Sequence, residues 1–135
     1  MHFLPRLLVA LALLSAASAV WAQPQAVTDL PRATTCSAKS SMAVPGGNVG
    51  TSEITMSSDG GWCWINLWAT QGSMQYAPKY RVAQPPAHGE LAMGEVDKKA
   101  RIAYRPVPGF VGQDTYTLMN TMSNSERRVT ISVVK

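Results

Sequence analysis

The side chains with distinctive chemistry are Cys36 and Cys63, His88, and the tryptophans Trp62, Trp64 and Trp68. A thiol pair can form a disulfide, hold a metal or shuttle electrons, and spacing decides among these. No Cys-x-x-Cys motif is present, which argues against a redox pair. Two thiols and one imidazole at scattered positions do not make a ligand set, so no metal is expected. The cysteines are expected to pair with each other, contributing roughly 3–4 kcal/mol through the loop they close. Free or intermolecular thiols are the alternative, since a bond demands close and specific geometry.

Nothing else assembles into a catalytic constellation. His88 sits in a Pro85-Pro86-Ala87-His88-Gly89 turn with no evident nucleophile or carboxylate arrangement around it, and is read as structural. There is no Gly-x-Ser-x-Gly elbow and no phosphate loop ending in Gly-Lys-Ser/Thr. The glycine-rich stretch Gly46-Gly47-Asn48-Val49-Gly50 reads as a hairpin turn. Carboxylates are few, and no pair stands out for general acid–base work. The chain is therefore expected not to be an enzyme and to use no cofactor. Met56, Met93, Met119 and Met122 could hold a soft metal, but methionine more often fills cores, and that reading is preferred.

The tryptophans lie in Trp62-Cys63-Trp64-Ile65-Asn66-Leu67-Trp68. On a strand, alternate residues face opposite ways. Cys63, Ile65 and Leu67 then face the core, and Trp62, Trp64, Asn66 and Trp68 face outward. An exposed aromatic stripe marks an interaction surface, and tryptophan is enriched at binding hot spots. Trp62, Trp64 and Trp68 are thus the candidate binding surface for a glycan or a protein. The competing reading is that the N-terminal segment, or the Met74–Tyr80 loop, folds over the stripe. A second, weaker surface is a basic one made of Lys98, Lys99, Arg101, Arg105, Arg127 and Arg128. Charges at strand edges also prevent sheets from adding to one another, and this duller role is favoured.

The elements that must carry these residues read as strands and turns. Thr34–Ala38, Thr51–Met56, Trp62–Trp68, Lys79–Ala83, Gly89–Met93, Arg101–Arg105, Thr115–Thr121 and Arg127–Val134 alternate or are β-rich. Pro45-Gly46-Gly47-Asn48, Ser58-Asp59-Gly60-Gly61, Gln71-Gly72-Ser73 and Ser123-Asn124-Ser125 break them. The Ser58–Gly61 turn is expected to close a hairpin, and Trp62–Trp68 to be the strongest central strand. No long apolar run with helical period appears beyond the N-terminal segment. This pattern predicts an all-β single sandwich of about seven to eight short strands. Ile102 and Tyr104, Tyr116 and Leu118, and Val129, Ile131 and Val133 are expected to point inward. Phe110 should plug one end of the core, and Asp114 should cap its loop by accepting backbone N–H bonds. Gly109 and Gly112 supply backbone freedom there.

The N-terminus sets the expected compartment. His2 and Arg6 precede an apolar run Leu7–Leu14 and small residues through Ala19, the layout of a secretory signal peptide over residues 1–22. Cleavage after Ala22 is preferred, with Ala19 the competitor. The run is short for a membrane span of roughly 20 residues, so no span is expected in the mature chain. An uncleaved anchor is the alternative. Residues 23–32 read as an extended lead-in and residues 33–135 as the domain. Export suits a disulfide. The formal net charge of +4 is mild, and with export it argues against nucleic acid as partner.

The second half carries a resemblance. The Pro85-Pro86-Ala87-His88-Gly89 turn, the hairpin after it, the Pro108-Gly109-Phe110-Val111-Gly112-Gln113-Asp114 loop and two last strands resemble the repeat unit of bacterial immunoglobulin-like and cadherin-like domains. The resemblance runs from about Pro85 to Lys135. It implies an Ig-like (Greek-key) β-sandwich and argues against catalysis, with His88, Gly89, Gly109, Phe110, Gly112 and Asp114 as its structural loop residues, while the signal-peptide reading places it in the periplasm or outside the cell. The cysteines do not sit where antibody-type domains place their inter-sheet bridge. Cadherin-type calcium motifs are missing, so calcium is not expected. The expected function is an exported, non-catalytic binding module of the bacterial cell envelope for an unknown glycan or protein. The alternative is a purely structural accessory subunit of an envelope or surface assembly, with no small-molecule ligand.

Overall fold

A computed structural model describes residues 26–41 and 49–135. The signal-peptide reading, the first part of the lead-in and the Pro45–Asn48 turn lie outside those residues. The described chain is all-β, with strands β1 (Cys36–Ser41), β2 (Val49–Ser57), β3 (Cys63–Leu67), β4 (Ala69–Gln71), β5 (Met74–Tyr76), β6 (Tyr80–Gln84), β7 (Gly89–Val96), β8 (Lys99–Pro106), β9 (Gly112–Asn120) and β10 (Glu126–Val134). That exceeds the expected number because the chain between β3 and β6 folds into its own small hairpin, β4–β5. No helix among the described residues is long and apolar enough to cross a membrane.

Five strands form one sheet in the order β1-β2-β10-β9-β6, and three form another in the order β3-β8-β7. β2 and β10 run parallel, with Ile54 opposite Ile131, and every other pair is antiparallel. The alternation in the sequence dictates what meets between the sheets. Ile54 and Met56, Tyr116 and Leu118, and Val129, Ile131 and Val133 come from the larger sheet. Cys63, Ile65, Leu67, Ile102 and Tyr104 come from the smaller one, and all belong to one buried cluster. Fully burying a Val, Leu or Ile side chain stabilises by about 1.5–3 kcal/mol, so this layer is what holds the sheets face to face. The inward residues named from the sequence are all in it.

Three expectations differ. Trp62–Trp68 was expected to be a central strand, but β3 is at an edge and β8 is central. Aromatic richness reported burial, which here comes from the opposite sheet and an N-terminal strap rather than from strands on both sides. The Ser58–Gly61 turn is not a hairpin turn, because β2 and β3 belong to different sheets and the turn carries the chain between them. The lead-in is more than a tether over its described part. Leu30 is buried, Arg32 bridges Trp62, and the Trp62 N–H donates to the Pro31 carbonyl.

The Cys36–Cys63 disulfide is formed, with the Cα atoms 5.4 Å apart. It joins β1 to β3, strands at the same side of the two sheets, and Cys63 is wholly buried. The β7–β8 hairpin turns on Asp97 and Lys98, both at positive φ (50° and 59°). Such two-residue turns match strand twist and usually take Asn-Gly or Asp-Gly. Here Lys98 stands in the place of the glycine.

Candidate functional site

Trp62, Trp64 and Trp68 do not form one exposed stripe. The residues 26–33 lie across the outer face of the smaller sheet as a strap. Leu30, Trp62 and Ala103 make a second buried cluster, with Val27, Trp64 and Ala92 packed on it. Trp62 is only 5% exposed, Trp64 is half-buried and Trp68 is 54% exposed. Small residues under the strap make room for it. A Cβ on Gly94 would lie 2.5 Å from a Val27 methyl, and a Cβ on Gly61 would meet the Ala33 backbone. The competing reading from the sequence, coverage by the N-terminal segment, therefore describes Trp62.

Cations complete this face. Arg105 lies over Trp62 at 4.7 Å, Arg101 over Trp64 at 4.7 Å with Arg32 at 5.2 Å, and Lys99 over Trp68 at 5.2 Å. The Arg101 guanidinium also donates to the Asn66 amide oxygen and the Val27 carbonyl. Register explains the pattern. Asn66 pairs with Arg101 and Trp64 with Ala103, so outward residues of β8 meet outward residues of β3. The residues read from the sequence as a basic edge patch are thus divided. Arg101 and Arg105 are occupied with indole rings. Arg127 donates to the Ser41 and Thr51 carbonyls and the Ser52 hydroxyl. The alternation Lys99, Arg101, Ala103, Arg105 was the available signal for this pairing.

The turn residues converge at the far end of the sandwich. Asp114 is buried, and its carboxylate accepts from the Ala87 N–H (3.0 Å), the His88 N–H (2.9 Å), the Tyr104 hydroxyl (2.9 Å) and the Thr115 N–H (2.9 Å). Burial works to raise its pKa, but the bonds from His88, Tyr104, Thr115 and Ala87 outweigh it and hold the carboxyl below its ordinary value. The same burial, then the bond to Asp114, pushes the Tyr104 phenol far up. Asp114 thus ties the Pro-Pro-x-His-Gly turn to the core, and the N–H groups it accepts from are those of Ala87, His88 and Thr115 rather than of the 108–113 loop it was expected to cap. The His88 ring stacks on Phe110 with centroids 4.3 Å apart, and Phe110 packs against the core. Gly109 takes φ of 83° and Gly112 φ of 138°, where a side chain would be strained. Gly89 has no room for a Cβ against the Tyr104 ring.

Asp59 is a second corner, which the sequence reading placed in a turn without giving it a role. Its carboxylate accepts from the Thr34 N–H (2.7 Å), the Ser57 hydroxyl (2.9 Å) and the Gly61 N–H (3.0 Å). The Thr34 bond first, then the others, hold it far below the ordinary carboxylate value. Its position two residues before Gly61, as Asx turns require, was the signal. Asp59 and Glu90 border an open cleft of 770 Å³ with Arg105 and Val107. Asp59 is engaged by chain donors and Glu90 by the Arg105 guanidinium, so these carboxylates hold structure together. Two polar atoms, the Trp62 indole N–H and the Tyr116 hydroxyl, are buried with no hydrogen-bond partner among the described residues.

The open aromatic surface is therefore Trp68 and its neighbours. Ala69 pairs with Tyr76 and Gln71 with Met74, so the β4–β5 hairpin follows Trp68 directly in the chain. Met74 is 71% exposed and Tyr76 37% exposed. The sequence reading treated Met74–Tyr80 only as a cover for the stripe and missed this surface. No protein-family model, curated protein or solved structure matches the chain.

Proposed function

We propose that this protein is an exported, non-catalytic immunoglobulin-like binding module of the bacterial cell envelope, periplasmic or secreted, which meets a glycan or a protein. The fold part is supported by strand order. A parallel β2–β10 pair continued by β9 and β6, facing a β3-β8-β7 sheet, is an order expected of a Greek-key sandwich. The disulfide fits an oxidising compartment. The binding part is carried by Trp68. It is the described tryptophan left open to solvent, and it immediately precedes the β4–β5 hairpin, on which Met74 and Tyr76 are also exposed. Tryptophan exposed in this way is favoured at binding hot spots.

The test is titration of the purified protein against a glycan panel, with pull-down from envelope extracts, for wild type and Trp68→Ala. Saturable binding that disappears in Trp68→Ala, at an unchanged melting temperature, supports the reading. The coverage of Trp62 by the strap favours a second one, a structural accessory subunit with no small-molecule ligand. Copurification with an envelope complex, unaffected by Trp68→Ala and without glycan binding, would select it.

A further inference from the structure

The end of the sandwich that carries Trp68 also carries the molecule's charge asymmetry. The β4–β5 hairpin, the β7–β8 turn and the β9–β10 turn meet there. The Gln75 side-chain amide donates to the Lys98 carbonyl, and the Thr121 N–H donates to the Lys79 carbonyl. Lys79, Arg81, Lys98, Lys99, Arg101, Arg127 and Arg128 stand at this end against Glu95, Asp97 and Glu126, with Arg101 held on Trp64 and Arg127 on the Ser41 and Thr51 carbonyls. Over the rest of the described chain, Asp and Glu side chains outnumber Lys and Arg side chains. The formal positive excess of the described residues thus lies at this end, and Lys98 and Lys99 are the cations in contact with the hairpin and with Trp68.

We propose that this end binds an anionic glycan, with a sugar ring stacked on Trp68 and a carboxylate or phosphate of the same chain meeting Lys98 and Lys99. This rests on the binding reading above and narrows it. The Lys99 ammonium lies 5.2 Å from the Trp68 ring centroid, so one sugar unit and its acid group can span both. Thr70 and Gln71, the polar residues that follow Trp68 on β4, are exposed. A discrete chain can run over Trp68, Lys98 and Lys99 alone. An anionic bilayer would press on the whole end, including Asp97 and Glu95, where like charges repel. The cation cluster also raises the local concentration of a polyanion, an effect that salt removes.

The experiment is a fluorescence titration of the full chain with three probes: a galacturonic acid hexamer, the uncharged galactose hexamer, and phosphatidylglycerol vesicles. The expected result is saturable binding of the charged hexamer, weakened by salt and by about five- to tenfold in Lys98→Gln/Lys99→Gln, as two partly exposed ion pairs imply. Trp68→Ala should lose binding, and Lys39→Gln, on a distant edge strand, should not. Equal affinity for the charged and uncharged hexamers, or no change in the double lysine variant, overturns the anionic assignment and leaves the wider glycan reading standing. Failure of both hexamers overturns this proposal together with the glycan part of that reading. Vesicle binding alone would assign the end to a bilayer and equally overturn it.

Discussion

Replacing Asp114 with alanine removes one carboxylate and strands several donors at once. The Tyr104 hydroxyl is fully buried, and its other contact, the His88 carbonyl, is a longer 3.4 Å. Leaving such a donor unsatisfied costs about 1–3 kcal/mol. The Ala87 and His88 N–H groups lose charge-assisted bonds worth about 1.5–3 kcal/mol each. Both residues are exposed, so water recovers part of that loss. The sum is about 3–5 kcal/mol, a large share of the stability of a small domain. Urea denaturation at pH 7, followed by circular dichroism, should therefore show Asp114→Ala shifted far toward lower midpoint. Asp114→Asn keeps one acceptor and should lose less. Its pH dependence is the sharper test. The Asp114 carboxyl is held below its ordinary value in the fold. Its contribution is complete above the unfolded value of about 3.9 and fades as pH falls through the folded one. The stability gap between wild type and Asp114→Asn should stay constant from about pH 8 to pH 5 and shrink below about pH 4. A loss under about 1 kcal/mol for Asp114→Ala, or a gap that persists undiminished to pH 2, would refute the corner argument.

Three further outcomes follow from the packing. Reducing Cys36–Cys63, which are 27 residues apart, should cost about 3.5 kcal/mol by loop-closure entropy, read from urea midpoints with and without reductant. Trp62→Ala should cost about 3–5 kcal/mol because it opens a cavity under the strap, whereas Trp68→Ala should stay within about 0.5 kcal/mol, and acrylamide should quench Trp68 but spare Trp62. Gly94→Ala should push Val27 off the smaller sheet and raise protease cleavage within residues 26–31 without unfolding the domain, and an unchanged digestion rate would show that the strap does not depend on that contact.

The inward faces were legible in the sequence because strand period is local. Ile102 with Tyr104, Tyr116 with Leu118, and Val129 with Ile131 and Val133 need only two-residue alternation to share a side. The turns at Pro85–Gly89 and Pro108–Gly112 were equally legible, because proline and glycine act on neighbouring backbone, but the link from Asp114 to the Ala87 and His88 N–H groups spans 26 to 27 residues and was not. The position of β3 was not. Composition reports that a segment is covered, not which element covers it, and the cover for Trp62 comes from Leu30, more than thirty residues earlier. The indole–guanidinium contacts depend on the register of β3 against β8, which the sequence does not state.

By itself, then, the amino-acid sequence determined an all-β chain, the two half-faces of each strand, the pairing of its two cysteines and the positions of its proline and glycine turns. All of these follow from period, turn chemistry or the count of possible partners. Tertiary structure alone decided that Trp62 is core and Trp68 surface, although both lie on the same side of one alternating run. Among the described residues the strap packs on Trp62 and Trp64, whereas Trp68 lies where the chain leads into β4–β5. Exposure is a property of what lies opposite a side chain, and that is set by contacts between segments far apart in sequence.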